Sequence, residues 1–411
     1  MPDRFLLVFK AERSVGFGGV RLPGILIPRP QSQKYRFLAV YHIQKNISGG
    51  KCMKKIIALL LAAAMAVSAT ACSSGGAASS AAGSSAAPAG DPSSAAKATY
   101  KVSMVTDTGG VNDQSFNQLS WEGLQKLKAD VGADVSYTES KQEADYATNL
   151  DKAVDDQNDL IWGVGFAMGD AILNAAKANP DVRFAIVDNQ YEETPSNLTA
   201  VVFRAQEPSF LVGYIAAKTT KTDKVGFVGG VKSDVIGQFE YGYKAGVAYG
   251  AKEMGKKIEV VAQYAESFVD SAKGKAIASK MFSGGCDIVF HAAGNVGTGV
   301  IEAAKEANKY AIGVDKDQAF LAPNNVLTSA LKKVDKAVEE VSKEIMDGKA
   351  TGGTTISLGV KEDAAGIPEE HKLMGEETYK AAVALQDQIK DGKLVPPASE
   401  DDYNTFVKNL K

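Results

Sequence analysis

The sequence predicts an α/β fold built as two similar lobes, each a parallel sheet flanked by helices. Three observations carry that expectation. Short apolar runs alternate with amphipathic stretches from residue 98 to the end. Several of the runs are apolar throughout, as strands covered on both faces are. The ten runs are also more than one modest sheet needs, and a folded part of about 310 residues favours two lobes.

In chain order the expected strands are YKVSMVTD, ADVSYTES, DLIWGVG, VRFAIVDN, LTAVVFR, DKVGFVGG, KIEVVAQYAE, CDIVFHAAG, KYAIGVD and TTISLGV. Helices are expected near 116–129, 142–157, 168–179, 207–220, 238–254, 270–283, 298–308, 332–348 and 372–393. Pro180, Gly255 and Gly348 stand where helices should stop. Crossings between the lobes are expected near Phe203–Glu207, near Asp315–Ala319 and near 350. They give an N-terminal lobe of 98–204 plus 318–350 and a C-terminal lobe of 205–317 plus 351–411.

The segments before the folded part read differently. From Met53 the chain runs MKKIIALLLAAAMAVSATAC: a basic start, twelve apolar residues from Ile56 to Val67, then small residues up to Cys72. That order describes a secretory signal peptide, 53–71, with an apolar run too short to span a bilayer. The cysteine after the small residues resembles a bacterial lipoprotein signal, although Ala69 stands where that pattern usually has Leu. Residues 1–52 precede a complete signal and are read as a spurious or untranslated extension, with translation starting at Met53; the alternative is a genuine N-terminal extension. Residues 72–97 are nearly all Ser, Ala, Gly and Pro, which makes a flexible tether with a root-mean-square reach of roughly 25–30 Å. A diacylglycerol on Cys72 would supply two acyl chains, enough for stable anchoring.

Charge and composition narrow the function. The net charge of −3 leaves no broad basic surface, so nucleic acid is not an expected partner. Of the three cysteines, Cys286 alone falls in the folded part, within an apolar run, and no intramolecular disulfide is expected. His291 and His371 lie in no ligand-spaced cluster, so no metal or cofactor site is expected, and His291 reads best as a core residue. The segment GVGFAMG has one residue too many for a dinucleotide fingerprint. GAKEMGKK ends a helix rather than opening one and has Lys257 where a P-loop needs Ser or Thr, so Gly255 reads as a helix cap.

In parallel α/β sheets ligands bind beyond the carboxyl ends of the strands. Three of the five ends considered carry an aspartate: Asp107, Asp188 and Asp315. The others lead to VIGQFEYGY and to Gly294-Asn295. Each such Asp alone also fits a helix N-cap, and Phe116 or Phe239 alone also fits a core ring. Together, two aromatic faces with carboxylates and amides at the edge suit a nucleobase or a sugar.

The stretches GGVNDQSFNQ, AIVDN, QFEYGYKAGV, HAAGNVGTGV, AIGVDKDQ and VLTSALKKVD together resemble the basic membrane protein family, from about residue 99 to the C-terminus. These are bacterial substrate-binding lipoproteins of ABC transporters, and the characterised kind binds purine nucleosides. The resemblance implies the type I periplasmic-binding-protein fold, with three hinge crossings and the ligand between the lobes. It implies that Asp107, Asp113, Phe116 and Asn117 face the base, that Asp188 lines the N-terminal lobe's share of the cleft, and that Phe239 stacks from the other lobe. It also implies that Gly294 lets the backbone approach and that Asp315 and Lys332 hold ribose hydroxyls, with Lys333 an alternative for the lysine. A non-enzymatic, exported monomer is implied, lipid-anchored at Cys72 to the outer face of the cell membrane and delivering a nucleoside to a permease. A site that hydrogen-bonds hydroxyls should favour ribonucleosides over deoxyribonucleosides, and without an arginine cluster it should bind phosphorylated nucleotides poorly. A sugar receptor of the same fold, an exported nucleoside-processing enzyme and a surface sensor are the alternatives.

Overall fold

The computed structural model describes residues 99–349 and 352–410. The signal peptide, Cys72 and the tether lie outside the described residues. Two six-stranded sheets organise the chain. The first contains β1 (Lys101–Thr106), β2 (Asp134–Thr138), β3 (Leu160–Val164), β4 (Arg183–Val187), β5 (Leu198–Phe203) and β11 (Thr354–Leu358), in the spatial order 11-5-4-3-1-2. The second contains β6 (Lys224–Gly229), β7 (Glu259–Tyr264), β8 (Ile288–Ala292), β9 (Tyr310–Asp315), β10 (Val326–Lys332) and the short β12 (Ala365–Gly366), in the order 12-10-9-8-6-7. Every strand pair is parallel except β10 with β12.

Burial follows from the strand sequences. Strands β3 and β8 are buried at every position, because helices cover both faces of each sheet. In the first sheet Val102, Met104, Trp162 and Val187 pack beneath the helices Phe116–Val131 and Val334–Met346. Val105, Ile161, Phe184 and Ile186 point the other way, against Asp145–Asp155 and Gly169–Ala178. Each fully buried Leu, Ile, Val or Phe contributes about 1.5–3 kcal/mol. The Trp162 indole donates to Ser342 Oγ at 3.0 Å, which satisfies its one polar atom inside the core.

The chain passes between the sheets after Phe203, again between Lys332 and Val334, and again between Leu358 and Ala365. Two expectations are corrected here. The second passage is not near Asp315–Ala319, because VLTSALK forms a further strand of the second sheet, paired with β9. The third is not near 350, because TTISLGV returns to the first sheet and pairs with β5. Residues 318–332 therefore belong with the second sheet and 354–358 with the first, which changes the expected lobe spans. VLTSALK carries Thr and Ser amid its apolar residues, and both are buried, so it lacks the outward polar alternation that marks a half-buried strand. The C-terminal helix Glu400–Asn409 was also not expected; its mostly polar sequence buries no residue, and Ser399 caps it through Asp402 N–H at 3.2 Å. Among the described residues no helix is long and apolar enough to cross a membrane.

Candidate functional site

The carboxyl ends of β1, β3, β4, β8, β9 and β10 converge on one cleft between the sheets, which holds about 560 Å³ of space unoccupied by protein. All nine residues expected to bind the ligand line it: Asp107, Asp113, Phe116, Asn117, Asp188, Phe239, Gly294, Asp315 and Lys332. Their surroundings separate them into different roles.

The loop after β1 is held by its own side chains. Asp107 Oδ1 accepts from Gly109 N–H at 2.8 Å and from the Asn117 amide at 2.9 Å. The Asp113 carboxylate accepts the N–H groups of Ser115, Asn117 and Gln118 at 3.0, 2.9 and 3.1 Å, and the Asn117 side-chain amide at 3.2 Å. It satisfies the free amides that open the helix Phe116–Val131. Asp113 thus does more to shape the loop than to offer a free acceptor. Asn117 is fixed between the two aspartates, and its Oδ1 is buried with no hydrogen-bond partner among the described residues. Burial pushes the Asp107 carboxyl up to about 6 and raises that of Asp113.

Asp188 follows β4 and Asp315 ends β9, with φ of 67° and 65°, a left-handed turn that Asp tolerates better than most residues. Both are buried. Asp188 forms an ion pair with Lys332, which ends β10 in the other sheet, so the pair bridges the lobes. The Lys332 Nζ also lies 4.5 Å from the centroid of the Phe116 ring and 5.0 Å from that of Phe203. Lys332 lines the cleft and Lys333 does not; Lys333 instead pairs with the exposed Asp363 at 2.8 Å. Asp315 accepts the Ser115 hydroxyl from the first lobe, and burial pushes its carboxyl up to about 6. The lining therefore holds four carboxylates and, among the described residues, one ammonium.

The aromatic lining is wider than the expected Phe116 and Phe239. Phe239 lines the cleft and is almost fully buried, packing in the second lobe's core with Phe290 at a centroid distance of 6.5 Å. Two rings that sequence reasoning missed line the cleft. Phe166 follows β3 and Phe268 follows β7, and they meet edge to face at 6.1 Å and 72°. Both stand just past strand ends absent from the five considered, so the same rule applied to every strand would have found them. Phe166 lies within GVGFAMG. The backbone there is shaped for the cleft, since Gly165 has φ 109° and a Cβ would lie 2.8 Å from Asp107 Oδ2. Gly294, at φ 54°, lies against Phe268, whose carbonyl oxygen a Cβ would meet at 3.2 Å.

His291 lies fully buried behind the lining, and burial holds its imidazole down to about 4. Cys286 is a buried thiol, pushed up to about 11. Among the described residues no group of three His, Cys, Asp or Glu is placed to hold a metal ion. The arrangement presents flat apolar faces, buried acceptors and one cation. It can hold an uncharged planar ligand whose N–H and O–H groups meet carboxylates.

Comparison with known proteins agrees with this architecture. Residues 100–400 match the Bmp family, described as ABC transporter substrate-binding protein PnrA-like. The chain is 40% identical over 328 residues to basic membrane protein D of Borreliella burgdorferi (strain JD1), covering 78% of this chain and 94% of that protein. It is 39% identical over 327 residues to the ABC transporter nucleoside-binding protein BmpA of Lactococcus lactis subsp. cremoris (strain MG1363), covering 74% and 91%. A solved ABC transporter solute-binding protein from Aeropyrum pernix K1 superposes with a TM-score of 0.68 at 27% identity, covering 76% of this chain and 97% of that one. With two α/β sheets, a cleft at their carboxyl ends and these matches, the chain belongs to the Bmp family of ABC transporter substrate-binding proteins.

Proposed function

We propose that the protein captures purine ribonucleosides in the cleft and delivers them to a membrane permease. The observation that carries this reading is the lining itself: phenyl rings from both lobes, with buried carboxylates around them and a single lysine. Phe116 and Phe268 belong to opposite lobes and offer faces for a purine. Asp107 and the unpartnered Asn117 Oδ1 are acceptors for base N–H groups. Asp315 accepts the vicinal ribose hydroxyls, and Lys332 offsets part of the buried negative charge. A phosphate would add anionic charge to a cleft that already has four carboxylates, so nucleotides bind poorly. The relative from Lactococcus lactis is named as nucleoside-binding, which supports the ligand class.

Capture works by closure of the lobes about the three crossings. Each chain carries both halves of the cleft and acts as a monomer. Export through the signal of residues 53–71 and diacylglycerol attachment at Cys72 keep it on the outer membrane face near its permease. Loss of acyl label in Cys72→Ala tests the anchor.

Calorimetry tests the ligand. Protein purified through unfolding and refolding, to strip carried-over ligand, is titrated with inosine, guanosine, adenosine, cytidine, ribose and glucose. Tight binding of a purine nucleoside, lost in Phe116→Ala and Asp315→Ala, is expected. Heat from a sugar alone would overturn the ligand class and leave the fold standing. Recovery of the nucleoside unchanged after long incubation separates a receptor from an enzyme.

A further inference from the structure

The motif AIGVDKDQ contributes Asp315 to the cleft, but its last residue, Gln318, lies outside the lining. Gln318 is fully buried. Its Oε1 accepts Val314 N–H at 3.0 Å, and its own N–H donates to the buried Ser329 Oγ at 3.1 Å. Asp315 is thereby held inside a small bonded loop. Gly313 leaves room for it: a Cβ there would lie 2.8 Å from Gln318 Oε1 and 2.6 Å from Ser329 Oγ. The remaining donor of the side chain crosses the gap. Gln318 Nε2 donates to the carbonyl of Gln114 in the first lobe at 3.0 Å, and Gln114 has φ 57°. Alongside, Ser115 donates to Asp315 and Lys316 Nζ meets Glu122 Oε1 at 2.9 Å. The three contacting residues of the first lobe's side, 114, 115 and 122, and the three of the second's, 315, 316 and 318, form one continuous seam.

We propose that Gln318 is a positioning residue that couples occupancy of Asp315 to lobe closure. A ligand that grips Asp315 fixes the loop carrying Gln318, and the amide then finds the Gln114 carbonyl of the opposite lobe. That hydrogen bond, to a half-buried carbonyl, exists only with the lobes together, so the seam favours the closed form. This rests on capture between the lobes as proposed above; the identity of the ligand enters only as the probe.

The test is stopped-flow binding of inosine and guanosine to the wild type, Gln318→Met, Lys316→Glu and the swap Glu122→Lys/Lys316→Glu. Gln318→Met should speed dissociation about tenfold and leave association within about twofold. Lys316→Glu, which reverses the half-buried charge facing Glu122, should speed dissociation about threefold, and the swap should restore it. Unchanged dissociation in Gln318→Met, or association slowed by the same factor, overturns the coupling. If the wild type binds neither nucleoside, the proposed ligand fails, and the seam is read by amide hydrogen exchange of the ligand-free protein. Faster exchange across residues 107–118 in Gln318→Met, with β3 unchanged, then supports the seam; equal exchange overturns it.

Discussion

The two sides of the cleft spend their hydrogen bonds differently. On the first lobe, the loop from Asp107 to Gln118 bonds mainly to itself: Asp107 and Asp113 hold Asn117 and the opening amides of the helix. On the second, Asp315 and Lys332 bond across the gap, to Ser115 and Asp188. The first half is thus preformed, and the second is completed by contact with it. Three backbone amides hold Asp113 as architecture, while Asp107 and Asp315, bonded by fewer donors, are pushed by burial up to about 6 and have room for more.

Breaking the bridge is the most severe challenge to that contrast. Lys332→Met leaves Asp188 buried and uncompensated, and should cost about 3–5 kcal/mol of stability, read from urea unfolding. Adding Asp188→Leu should recover much of the loss. A similar cost in single and double variants would show that the pair is not coupled.

The two phenylalanines of the second lobe sharpen the comparison next. Phe239→Ala should lower stability by about 3–5 kcal/mol, because the ring sits in the core beside Phe290. Phe268→Ala should weaken ligand binding about 30-fold with a smaller loss of stability. The reverse ranking in calorimetry and denaturation would return stacking to Phe239.

Acidity probes two buried carboxylates with raised values. With folded values near 6, above the ordinary range near 4, Asp107 and Asp315 hold protons in the folded state that the unfolded chain releases. Their contribution to ligand-free stability is therefore present at low pH and lost as pH rises from about 4 to about 6. Asp315→Asn should raise the melting temperature of the ligand-free protein at pH 7.5 and change it little at pH 4.5. A ligand whose donors favour the ionised forms should bind about tenfold more weakly at pH 5 than at pH 7.5, with proton release on binding near pH 6. The smallest effect is expected at the exposed Lys275, which meets Glu302 and Glu306 at 3.0 and 2.8 Å: Lys275→Ala should leave the melting temperature unchanged.

The sequence makes most of this legible, through identifiable signals. Alternation of apolar runs and amphipathic stretches yields the two-lobed α/β fold, and strand-end aspartates locate the cleft. What escapes it depends on partners distant in the chain. VLTSALK becomes a strand only because β9 offers an edge, and without it the crossings fall in the wrong places. Phe239 and Phe268 each follow a plausible pattern, and only packing against Phe290 or against Phe166 tells core from cleft. The choice between Lys332 and Lys333 is likewise one of direction at a strand end: one side chain turns to Asp188, the next to Asp363.

The late return of the chain to the first sheet has a consequence in time. Strand β11 reaches β5 across some 150 intervening residues, and most of the second sheet is made between them. During synthesis the first lobe therefore lacks an edge strand and the helix Val334–Met346 until nearly the whole polypeptide has emerged. A chain that cannot finish its first half early stays incompletely folded for longer, which fits the export proposed for it.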